Sequence, residues 1–109
     1  MFKIIDNTII LTRGDSMSAP LTMKNPDGTT YQPQTGDEIV FSMKKYYTDD
    51  IALLTKEIDI DEPALIIDQD DTEDLPFGWY VYDIKLTTAG GDVDTFIAKG
   101  SFKVDEEAH

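Results

Sequence analysis

The sequence predicts an all-β domain: a two-sheet antiparallel sandwich of about eight short strands with one short helical turn. Three observations carry this. Trp79 to Thr87 alternates with period 2, placing Tyr80, Tyr82, Ile84 and Leu86 on one face and Trp79, Val81, Asp83 and Lys85 on the other. Glu38 to Lys44 repeats the pattern, with Ile39, Phe41 and Met43 on one face. Turn signals recur every ~8–12 residues, the spacing of a sandwich.

The elements follow in order. Thr8 to Thr12 is compact and β-branched, and Arg13-Gly14-Asp15-Ser16 breaks it. Leu21-Thr22-Met23-Lys24 alternates into Asn25-Pro26-Asp27-Gly28, where Pro presets φ and Gly tolerates positive φ. Thr29 to Gln32 reads as the return strand, and Gln34-Thr35-Gly36-Asp37 as the next break. After the strand at Glu38, Tyr46 to Asp50 leads into Ile51 to Ile58, which reads as strand because Ile58 and Ile60 extend its pattern. Ala64 to Asp68 is a short buried run. Asp70 to Leu75 has a capping residue followed by acids in a first turn, one helical turn crossing between sheets. Strands at Trp79 to Thr87, Val93 to Lys99 and Ser101 to Val104 finish the domain, with a hairpin turn at Ala89-Gly90-Gly91-Asp92. An acidic crossover before an aromatic strand also occurs in immunoglobulin-like sandwiches, although their cysteine pair is absent. Residues 1–104 form a single domain, and 105–109 a flexible acidic tail.

Composition restricts function. Of the 109 residues, 9 are basic and 22 acidic, a net charge of −13. A nucleic-acid surface needs clustered Lys and Arg, so nucleic acid and anionic membrane are poor partners. No apolar run approaches the ~20 residues of a membrane-spanning helix, and the first residues do not read as a signal peptide. With no cysteine there is no disulfide framework, no thiolate catalysis and no cysteine-ligated zinc. His109, the only histidine, is the last residue, where nothing orients a base. No P-loop or dinucleotide fingerprint is present. The expectation is a protein that is not an enzyme and carries no cofactor.

The remaining candidates are surfaces. Acids run from Glu57 to Asp74 with no Lys or Arg between them. Glu57, Asp59, Asp61, Asp70, Asp71 and Glu73, together with Trp79, are the candidate partner-docking residues; the plain alternative is a solvated face. Asp68 to Asp74 invites a calcium loop, yet the EF-hand spacing fails: Glu73 stands where Gly is needed and Trp79 where a bidentate Glu is needed. No metal site is expected. Arg13-Gly14-Asp15 matches the integrin-binding tripeptide, but Gly14 more simply supplies a turn. Trp79 with Tyr46 and Tyr47 offers rings for a sugar face, against a plain role for Tyr80 and Tyr82 in the core.

Three stretches together resemble a known group: Ile9 to Ser16 with its LTRGD opening, Gly36 to Lys44, and Leu75 to Leu86 with its DLPxGxYxYDIxL pattern. They resemble small structural proteins of tailed phages and prophages of Gram-positive bacteria, in particular the N-terminal immunoglobulin-like domain of phage baseplate upper proteins. The resemblance implies a virion or prophage structural module that contacts other phage-encoded proteins, with weak homo-oligomerisation. It implies residence in the virion, or in the host cytoplasm during assembly. It carries over no catalytic residues. Two alternatives stay open: a carbohydrate- or surface-binding module, and a host-interaction protein encoded by a mobile element.

Overall fold

The computed structural model describes residues 2–5, 7–23 and 27–106. Among the described residues there are eight strands and one helical turn: β1 (Phe2–Ile5), β2 (Thr8–Thr12), β3 (Met17–Pro20), β4 (Glu38–Lys44), β5 (Leu54–Ile58), β6 (Ala64–Ile67), α1 (Gln69–Thr72), β7 (Gly78–Thr87) and β8 (Val93–Asp105). A six-stranded sheet has the order β1-β2-β8-β7-β4-β5, and β3 and β6 form a two-stranded sheet. Both contribute to one core. Leu11, Ile39, Phe41, Met43, Tyr80, Tyr82, Ile84, Leu86, Phe102 and Val104 come from the large sheet, and Met17, Ala19, Leu65 and Ile67 from the small one. The molecule is therefore an all-β sandwich, with both period-2 faces buried as the sequence predicts.

The aromatic centre is tight. Phe41 lies 5.2 Å from Tyr82 and 6.4 Å from Phe102, centroid to centroid. The hydroxyls of Tyr80 and Tyr82 each find a backbone acceptor. Tyr80 donates to the Pro76 carbonyl at 2.6 Å, and Tyr82 to the Asn7 carbonyl at 2.9 Å. The Tyr80 bond spans four residues at the start of β7, a local geometry like that of the tyrosine corner known from immunoglobulin-type sandwiches. Gly100 stands opposite Tyr82 in the β7–β8 ladder, and the tyrosine ring occupies the space a side chain at Gly100 would fill.

Several expectations need correction. The sandwich is not wholly antiparallel, because β2 pairs parallel with β8, Thr8 opposite Ser101 and Leu11 opposite Val104. β8 lies inside the sheet, between β2 and β7. Val93 to Lys99 and Ser101 to Val104 are one strand continuing to Asp105, since Gly100 serves ring packing rather than a turn; register shifts against β7 absorb the irregularity. Thr29 to Gln32 makes no strand, only an isolated bridge at Thr30, and Pro33 removes the next donor. Leu21 to Met23 is not strand either, although Met23 is buried. β5 begins at Leu54 rather than Ile51, and α1 is Gln69–Thr72 with Asp68 as its N-cap. Strands β1 and β3 are additional. Lys24, Asn25 and Pro26 of the first turn, and His109 with the end of the acidic tail, lie outside the described residues.

Candidate functional site

The two sheets approach each other at β5 and β6. Among the described residues, β5 ends the large sheet, and β6 has only β3 as a hydrogen-bonded neighbour. Each therefore presents an unpaired edge, and β5 runs through residues 59–63 directly into β6. A groove of about 680 Å³ lies there. Ser18, Pro20, Ala64 and Ile66 line it from the small sheet, with Lys56, Glu57, Asp59, Glu62 and Pro63 from β5 and the connecting loop.

The small sheet directs its outer face into this groove. Its ladder pairs Met17 with Ile67, Ser18 with Ile66, Ala19 with Leu65 and Pro20 with Ala64. Met17, Ala19, Leu65 and Ile67 point into the core. Ile66 is 53% exposed, so the Ala64–Ile67 run is not buried throughout: period-2 geometry forces alternate residues outward even when all four are apolar.

Lys56 decides the charge of the groove. Its ammonium is 2.9 Å from an Asp71 carboxylate oxygen and 3.6 Å from one of Asp68. The hydrogen bond to Asp71 holds Lys56 above its ordinary pKa, against the opposing effect of desolvation. The same Asp71 oxygen accepts from the Asp68 backbone N–H at 2.8 Å. Asp71 thus ties α1 to β5. The carboxylates of Glu57, Asp59 and Glu62 remain to set the sign of the groove.

The acidic run is consequently divided. Glu57 and Asp59 line the groove, and Asp61 is exposed on the loop between β5 and β6. Asp70 and Glu73 flank a smaller depression with Gly14 and Gln69, and Asp71 is committed internally. Trp79 opens the outer face of β7, 51% exposed, with the Lys103 ammonium 5.6 Å from its ring centre. Tyr46 and Tyr47 are also exposed, on the loop leaving β4, where Lys45 donates to the Trp79 carbonyl at 2.8 Å. Among the described residues, no three His, Asp or Glu side chains converge in a metal-holding arrangement.

The Arg13-Gly14-Asp15 tripeptide is built into a corner. The Arg13 guanidinium lies 4.1 Å from the Phe77 ring centre. The Gly14 N–H donates to Oγ1 of the fully buried Thr72 at 3.3 Å, and Gly14 takes φ 86°, a conformation that favours glycine. Sequence reasoning did not find Ser18, Pro20, Lys56, Glu62, Pro63, Ala64 and Ile66 as a set. Their grouping depends on β3 pairing with β6, for which the sequence carries no local signal.

No family model, curated protein sequence or solved structure matches this chain.

Proposed function

We propose that the protein is a non-enzymatic structural module of a tailed phage or prophage particle, a tail or baseplate component acting through protein–protein contacts. The observation that carries this reading is the pair of unpaired edges, β5 and β6, facing one open groove. Unpaired edges are templates for strand addition, a common mode of protein docking. The phage resemblance of the three quoted stretches supports the setting, and the acidic balance supports a basic partner. Weak self-association belongs to the same reading: repulsion from a charge of −13 falls as salt shortens the Debye length from ~30 Å at 0.01 M to ~8 Å at 0.15 M. Light scattering at those two salt concentrations tests that part.

The decisive experiment is quantitative mass spectrometry of density-banded particles induced from a lysogen carrying the gene. The chain is expected in fixed stoichiometry with the tail proteins. Its absence from banded particles overturns the reading. A glycan-binding module is favoured instead if Trp79 fluorescence responds saturably to a defined oligosaccharide, because Trp79, Tyr46 and Tyr47 are exposed rings.

A further inference from the structure

The β3–β6 ladder fixes which backbone groups face the unpaired edge of β6. The Leu21 N–H donates to the Pro63 carbonyl at 2.9 Å, in register with the four pairs of the sheet. In an antiparallel ladder, hydrogen-bonded pairs alternate with non-bonded ones. Pairs Ala19–Leu65 and Met17–Ile67 are therefore the bonded ones, and Pro20–Ala64 and Ser18–Ile66 are not. Pro20, which has no N–H to give, occupies a non-bonded position. The N–H and C=O groups of Ala64 and Ile66 consequently point away from β3, toward the unpaired edge beside the groove.

We infer that β6 accepts a third strand: an extended segment of a partner protein, alternating basic with apolar residues, that lies along the β6 edge beside the groove and bonds to the backbone of Ala64 and Ile66. Charge complementarity selects this occupant. Glu57, Asp59 and Glu62 line the groove, and Lys56, the one lysine lining it among the described residues, is committed to Asp71 and Asp68. A basic side chain meets three carboxylates there, and an apolar one meets Ala64 and Ile66. A second copy of this acidic chain would place like charges together. This inference rests on the docking reading and names its partner chemistry. Its test uses pure protein and a synthetic peptide, so it fails independently of particle purification.

The probe is a fluorescein-labelled peptide of about eight alternating Lys and Val residues, with an alternating Glu and Val peptide as control. Anisotropy should show saturable binding of the basic peptide and none of the acidic one. The triple variant E57Q/D59N/E62Q should weaken binding about tenfold at low salt, three exposed charge pairs together. Amide hydrogen exchange followed by NMR gives the position. The amides of Ala64 and Ile66 should slow at least about tenfold with peptide bound, while those of Leu65 and Ile67, already bonded to β3, should not change. Ile66→Pro should abolish binding; if that variant does not fold, exchange on the unmodified protein still decides. Equal binding of the acidic peptide, protection along β5 instead of β6, or no binding at ~1 mM peptide each overturn the inference. Protection of Ala64 and Ile66 that rises with protein concentration alone assigns the edge to a second copy and overturns it too.

Discussion

Phe41→Ala tests the centre of the sandwich. Phe41 has no exposed surface and packs on Tyr82 and Phe102, so truncation removes the ring and leaves a hole bounded by two other aromatics. Loss of a buried Phe costs ~3–5 kcal/mol, transfer and cavity contributions together. Those neighbours are rigid: hydroxyl bonding anchors Tyr82 to Asn7, and Phe102 sits in a central strand. Collapse into the hole is therefore limited, which favours the upper half of that range. Against a domain stability of ~5–15 kcal/mol this is a large fraction. At ~4–8 °C per kcal/mol, the melting temperature should fall by at least about 12 °C. Urea denaturation followed by circular dichroism is the assay, with the slope m unchanged so that the shift reports stability alone. Val40→Ala is the control, one residue away on the partly exposed opposite face, and should cost under about 1 kcal/mol. A loss below about 1 kcal/mol for Phe41→Ala, or equal losses for both variants, would refute the assignment of faces.

Gly100→Ala should destabilise by ~1–3 kcal/mol, because a Cβ there would lie 2.7 Å from Cε2 of Tyr82 and closer still to Cε1 and Cζ. Combining it with Tyr82→Leu should give much less than the sum of the two single losses, and additivity would show that the ring is not the obstacle. Tyr80→Phe should cost ~1–2 kcal/mol through the Pro76 carbonyl left without its donor, read by chemical denaturation; a neutral result would remove the corner from the list of stabilising contacts. Burial pushes the Tyr82 hydroxyl up to about 12, so folding favours its neutral form. That contribution is fully present below the unfolded phenol value of ~10 and is lost as pH rises through about 12. Stability should thus fall across that window, less steeply in Tyr82→Phe, and near-ultraviolet difference titration of the two proteins should place the Tyr82 midpoint near 12.

What the sequence made legible was strictly local. β4 and β7 were readable because each alternates over seven residues or more, long enough for period 2 to exclude a helix. β3 was not, because Met17-Ser18-Ala19-Pro20 is short and ends in proline; its strand character comes from pairing with β6, distant in the chain. The parallel β2–β8 pair was invisible for the same reason. The Tyr80 corner did leave a trace, a tyrosine four residues after a proline at the mouth of the aromatic strand. In the candidate site, counting acids overstated their unity. Glu57 to Asp74 reads as one patch, yet a strand, a loop and a helical turn carry it to different places, and Lys56, one residue outside the run, claims Asp71 from within it.

The position of β8 also sets an order of events in time. β1 and β2 adjoin each other and can form a hairpin early, but they join the remainder of the large sheet only through β8, the last of the described strands. Thr8 waits for Ser101 across nearly the whole chain. Closing so long a loop before any contact rewards it places the protein among slow, topologically complex folders, in the range of milliseconds to seconds. On the ribosome, that hairpin therefore stays undocked until β8 emerges. Its apolar segment Ile9-Ile10-Leu11 has to be shielded throughout that interval.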